Sequence, residues 1–170
     1  MKVKRKIPLS VINKMSKDQF VGVLGGVFEL APWVAENAWA QRPFFSWKQL
    51  HERMMEAVRQ APGEQVSALL NGHPDLGAKI EMTAYSLSEQ RNDGLAQLLD
   101  NELAHFAAYN RDYRERFGFP FILSVKGKAK SEIFAAMNVR IHNSAATELE
   151  IAIGEVGKIA AARLEELLEA

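Results

Sequence analysis

The segment Gly72-His73-Pro74-Asp75-Leu76 sets a histidine between a helix-ending glycine and a proline. Proline disfavours helical angles at the residue before it, so His73 sits on a stiff, extended stretch just past a helix terminus. An imidazole with an ordinary pKa of about 6.5 can give or take a proton at neutral pH. Acid/base chemistry is therefore open to His73. The alternative is a turn histidine with no chemical duty. Glu89, in Ser86-Leu87-Ser88-Glu89-Gln90, also reads two ways. It can close a capping box on Ser86. With Ser88 as the cap instead, Glu89 and Gln90 open the helix, and the free amides there suit a carboxylate or an amide-rich ligand.

Arg163 interrupts an apolar stripe. In the last helix Leu149, Ile153, Val156, Ala160, Arg163 and Leu167 recur at alternating spacings of four and three. Such a heptad-like stripe faces a partner. A guanidinium carried inward is costly unless it meets an acceptor. That acceptor is either a protein carboxylate or an anionic substrate. Near a helix C-terminus the cation can also snorkel to solvent.

Several chemistries are excluded or unsupported. The chain has no cysteine, which removes disulfides, thiolate zinc sites and a thiol nucleophile. His51, His105 and His142 lack metal-ligand spacing, and no metal site is expected. Gly22, Gly25 and Gly26 lie in a helical pattern without the strand and lysine of a phosphate loop. No serine, Ser144 included, stands in a nucleophile-elbow context. Twenty-one basic residues balance 21 acidic ones, which argues against a nucleic-acid partner. No apolar run is long enough for a membrane span, and the basic start lacks the apolar core of a signal peptide. A cytoplasmic protein is the expectation.

The elements that must position these residues are helical. The chain has 170 residues, 48% of them hydrophobic, which suits one domain over 1–170, with 1–9 as a flexible basic arm. Ser16-Lys17-Asp18-Gln19 and Ser46-Trp47-Lys48-Gln49 read as capping boxes that open helices. Pro32 ends the first of these or starts the next helix. Arg42-Pro43-Phe44 reads as a rigid connector with a packed aromatic. Pro62-Gly63 breaks the second capped helix near Arg59, and a short helix with Val66, Leu69 and Leu70 ends at Asn71-Gly72. Helical spacing returns from Glu89 to about Arg116, then over 131–142 and 144–168. Between them Phe117-Gly118-Phe119-Pro120-Phe121-Ile122-Leu123-Ser124-Val125 is aromatic, but Pro120 cannot donate to a ladder. It reads as an extended, buried connector. The expected fold is all-α, a helical bundle of roughly seven to nine helices with that one extended connector.

In order along the chain, these motifs resemble those of the OHCU decarboxylase family (2-oxo-4-hydroxy-4-carboxy-5-ureidoimidazoline decarboxylase). The resemblance rests on Phe28-Glu29 through Pro32-Trp33-Val34-Ala35-Glu36 to Arg42-Pro43-Phe44, then His73-Pro74-Asp75-Leu76. It continues through Ser86 to Gln90 with Gly94-Leu95, then Phe117-Gly118-Phe119-Pro120-Phe121-Ile122, and closes on Ile159 with Arg163-Leu164. The interval from His73 to Glu89 is shorter here than in several relatives, and Asp93 stands where a small residue is usual.

The resemblance implies an all-helical homodimer that needs no metal or organic cofactor. It implies decarboxylation of OHCU to (S)-allantoin in urate breakdown, with His73, Glu89 and Arg163 as the catalytic constellation. Pro74, Ser86, Leu87, Ser88, Glu89, Gln90, Phe121, Ile122, Leu123, Ser124 and Val125 would bind the substrate, partly through backbone groups. Two other functions are compatible with the same residues: a non-catalytic helical interaction module, or a decarboxylase of a related ureido or imidazoline substrate.

Overall fold

The computed structural model describes residues 4–76 and 100–170. Among these, every regular element is a helix: α1 (Leu9–Ile12), α2 (Lys17–Leu24), α3 (Pro32–Trp39), α4 (Trp47–Gln60), α5 (Gly63–Asn71), α6 (Asp100–Phe117), α7 (Lys130–Arg140) and α8 (Ala145–Leu167). The all-α expectation holds. The chain divides into two compact units. One comprises Met1–Gly72 with Gly157–Ala170, and the other His73–Val156. Helix α8 contributes to both.

In the first unit the local signals act as read. Ser16 caps α2 through the Gln19 amide at 3.3 Å, and the Gln19 side chain accepts from the Ser16 amide at 3.0 Å. Helix α4 realises half of its box. Ser46 accepts from the Gln49 amide at 3.1 Å, but the Gln49 side chain accepts from the Phe45 amide instead. Pro32 is a first-turn proline, opening α3 rather than closing α2. Helix α3 packs against α2 and α4. Phe20, Leu24, Val34, Leu50, Met54 and Val58 are among the buried residues these helices contribute, and Leu70 of α5 is buried as well.

The Arg42-Pro43-Phe44 connector is pinned at every residue. Its Arg42–Pro43 peptide is cis. Asn13 donates to the Phe44 carbonyl and accepts from the Phe44 amide, both at 2.8 Å. The Phe44 ring stacks on Phe20 with centroids 6.2 Å apart. Arg42 lies 4.1 Å over Trp39 and donates to the Asn13 and Met15 carbonyls.

The basic arm is shorter than residues 1–9. Ile7 forms a parallel bridge with Leu168, donating to the Leu167 carbonyl at 2.9 Å and accepting from the Glu169 amide at 3.0 Å. A short helix with fully buried Ile12 follows. Backbone groups that pair in this way hold the segment whatever the charge of the residues before it.

In the second unit α6 ends at Gly118, whose φ of 80° is the left-handed turn that glycine takes without strain. The run after it is neither helix nor strand, with Phe119, Phe121, Ile122 and Leu123 buried. Tyr113 gathers the aromatics, with Phe117 at 4.7 Å and Phe121 edge-on at 5.2 Å between centroids.

The buried stripe of α8 differs from the expected one. Ala152, Ile153, Val156, Ala160 and Leu164 are buried, as is Leu168 just beyond the helix, whereas Leu149 is exposed and Leu167 only half-buried. The buried residues Ala152, Val156, Ala160 and Leu164 instead recur every four residues, following one of the i+4 rows that wind around a helix surface, away from the line of Leu149 and Leu167. Arg163 consequently borders the stripe instead of lying within it.

Candidate active site

Helix α5 delivers the chain to His73. Gly72 closes it with right-handed angles, φ −73°, so the glycine is not there for a left-handed cap. A Cβ at Gly72 would meet the Ala68 carbonyl oxygen at 3.2 Å, the Leu69 oxygen at 3.4 Å and the Glu29 oxygen at 3.6 Å. The first two belong to the last turn of the same helix, and the Glu29 oxygen is at ordinary van der Waals distance.

His73 itself is only 3% exposed and has interaction partners, so it is not a solvated turn histidine. Two residues on, Asp75 accepts from Arg114 of α6 at 2.9 Å. Leu76 is buried. The ion pair at Asp75 and the buried Leu76 thus tie the segment His73-Pro74-Asp75-Leu76 within its unit.

The segment 121–125 is held by buried charge. Arg140 donates from Nη1 to the Ile122 carbonyl at 2.6 Å and lies 4.4 Å over the Phe121 ring. Its Nε donates to Glu148 Oε1 at 2.5 Å. Glu148 also accepts from the Tyr113 hydroxyl at 2.5 Å and from Asn143 at 3.1 Å. Burial and the Glu148 hydrogen bond push the Tyr113 phenol well above its ordinary range. On the other side of the segment, Glu155 accepts from the Ser124 amide at 3.0 Å. Phe121, Ile122 and Leu123 are buried, while Ser124 and Val125 are partly open.

In the first unit Arg163 meets a protein carboxylate, the first of the alternatives open to it. Nη2 donates to Glu29 Oε1 at 2.5 Å, and Nη1 donates to the Val27 carbonyl at 3.0 Å. The side chains are 32% and 26% exposed, so the pair is partly open to solvent. Arg163 also lines a cavity of about 380 Å³ with Lys4, Arg5, Gly26 and Val27.

Of the residues expected in the site, Ser86, Leu87, Ser88, Glu89 and Gln90 lie outside the described residues. His73, Pro74 and the segment 121–125 fall in one unit and Arg163 in the other. Among the described residues, no group of three histidines or carboxylates is spaced to hold a metal ion. Glu29, Arg140, Glu148 and Glu155 were not singled out from their sequence positions. A signal existed for two of them: Glu148 and Glu155 lie seven apart and flank the apolar Ala152 and Ile153 on α8. Acids on the apolar side of a helix call for buried donors.

The model of one known family, OHCU decarboxylase, matches residues 13–165. A "2-oxo-4-hydroxy-4-carboxy-5-ureidoimidazoline decarboxylase" of Haloferax volcanii is 42% identical over 95% of this chain and 96% of its own. A "Uric acid degradation bifunctional protein" of Bacillus sp. (strain TB-90) is 40% identical over 94% of this chain, which spans 32% of that longer protein. Among solved structures, an (S)-allantoin synthase superposes with a TM-score of 0.76 at 28% identity, covering 95% of this chain and 54% of that one. A family match that begins ahead of α2 and runs into the last turns of α8 takes in every motif on which the resemblance rested from Phe28 onward, and the chain belongs to the OHCU decarboxylase family.

Proposed function

We propose that this chain decarboxylates 2-oxo-4-hydroxy-4-carboxy-5-ureidoimidazoline to (S)-allantoin in urate degradation. The observation that carries the reading is the near end-to-end match to a relative named for that decarboxylase. The buried, partnered state of His73 and the ion-paired state of Arg163 support it from the chain's own geometry.

Breaking the bond to the carboxylate carbon releases CO₂ and leaves its electron pair on the ring carbon. The adjacent imine-like ring nitrogen can accept that pair, so the step has an electron sink within the substrate. The pair forms a double bond to the neighbouring ureido-bearing carbon; a proton delivered to one face of that carbon, as the hydroxyl on the former carboxyl-bearing carbon gives up its proton to become the carbonyl, then sets the S configuration. In this reading His73 and Glu89 form the pair that poises the proton. Arg163 holds a substrate oxygen or the carboxylate. Pro74, the Ser86–Gln90 stretch and the segment 121–125 line the pocket. Donors held in advance toward developing charge usually supply the largest part of such a rate enhancement. No metal or organic cofactor is required. The chain works as one domain, in a cytoplasmic homodimer.

The test is allantoin formation from freshly generated OHCU, followed by circular dichroism. His73→Ala is expected to lower the rate by roughly 10²-fold or more, in the range for losing one acid/base group. An unchanged rate and enantiomeric excess would remove His73 from the mechanism. A wild-type protein inert on OHCU would point to a related ureido substrate or to a non-catalytic module.

A further inference from the structure

Arg163 is fastened at both ends of its fork. Glu29 takes one Nη2 hydrogen at 2.5 Å, the Val27 carbonyl takes one from Nη1 at 3.0 Å, and the Gly26 carbonyl lies at 3.5 Å. These contacts engage at most three of the five N–H groups that a guanidinium carries. The remainder can serve a bound molecule only if the plane of the group is fixed.

The chain beside Glu29 is shaped in an unusual way. Leu30 has φ 53°, in the left-handed region, and its side chain is 85% exposed. Burial of that side chain does not account for the conformation. A bulky residue in a sparsely populated conformation persists where its surroundings over-determine it, and such positions cluster at functional sites. The connection from Gly26 to Ala31, in which Leu30 lies, presents two backbone carbonyls and the Glu29 carboxylate to one guanidinium.

We infer that Glu29 is a positioning residue, which orients the Arg163 guanidinium toward the substrate without touching the substrate itself. The inference rests on the proposed role of Arg163. A partly open ion pair contributes little to stability. Its effect is instead on a long side chain that otherwise explores many rotamers. A misplacement of about 1 Å in a reacting assembly can cost as much as 10²-fold in rate.

The experiment compares turnover of freshly generated OHCU by wild type, Glu29→Ala, Glu29→Gln, Arg163→Ala and the Glu29→Ala/Arg163→Ala double variant. Glu29→Ala is expected to lower kcat about tenfold, with KM changed less than about threefold, since Arg163 remains present but is no longer held in the reacting geometry. Glu29→Gln keeps an oxygen acceptor and should lose less. In the Arg163→Ala background, Glu29→Ala should cost less than about twofold more, because the group it orients is gone. A merely structural Glu29 would cost the same in both backgrounds, and that result overturns the inference. So does a wild-type kcat for Glu29→Ala beside an impaired Arg163→Ala, which leaves the proposed site standing. A wild-type rate for Arg163→Ala removes the proposed role of Arg163 and the inference with it. If Glu29→Ala does not melt cooperatively, Glu29→Asp replaces it: the shorter acid should lose more kcat than Glu29→Gln, and wild-type kcat for both overturns the inference.

Discussion

Arg140 and Glu148 meet at 2.5 Å with side chains 6% and 0% exposed, and through Arg140 this pair holds the Ile122 carbonyl of the aromatic connector. Removing one member of such a pair leaves a buried charge unmatched, which typically costs about 3–5 kcal/mol. Arg140→Met and Glu148→Leu alone are each expected to lose stability on that scale in urea melts. The double variant should lose less than the sum of the two. Additive losses would mean that the two side chains do not act as a unit.

Tyr113 joins the same network, and its raised phenol pKa has a pH signature. A folded-state pKa above the unfolded value of about 10 means that folding favours the protonated phenol. The contribution is complete below about pH 10. It declines as pH rises from there toward the higher folded value, at up to about 1.4 kcal/mol per pH unit. Tyr113→Phe should therefore show a flatter alkaline limb of stability, although it starts lower through loss of the Glu148 hydrogen bond. Parallel alkaline limbs in the two proteins would refute the assignment.

Leu30 offers a test of local strain. Its left-handed φ of 53° is one that asparagine tolerates far better than leucine, and its exposed side chain leaves little burial to lose. Leu30→Asn is expected to raise stability by about 0.5–1 kcal/mol, below the full cost of the left-handed conformation. A thermal melt at fixed pH measures it, and a loss of stability would mean that Leu30 makes contacts worth more than the strain.

Gly118 is the complementary case. It has φ 80°, and an added Cβ would meet nothing within 4 Å. Gly118→Ala therefore isolates the backbone term and should cost about 1 kcal/mol, read from the urea midpoint. A neutral result would show that the end of α6 relaxes to another conformation.

Much of the helical order was legible because its causes are local. Ser16 with Gln19, Pro32 as a first-turn residue, Pro62-Gly63 as a break and Pro120 inside the aromatic run all act within a few residues. The motifs around His73, Phe117 and Arg163 likewise identified the family by their order alone. The position of Arg163 in an apolar pattern posed a choice between an acceptor inside the fold and an escape to solvent, since a cation carried inward requires one or the other.

What the sequence could not determine is which residues answer such needs across the chain. Glu29 is 134 residues from Arg163, and Glu155 is 31 from Ser124. Partners so far apart are chosen by the packing of helices, on which spacing is silent. The burial of Leu164 in α8, rather than of Leu149 or Leu167, also depends on what lies opposite each residue. Local chemistry determined the elements and named the residues with work to do. Tertiary structure alone decided their partners, because a buried charge has meaning only against the neighbour that folding brings to it.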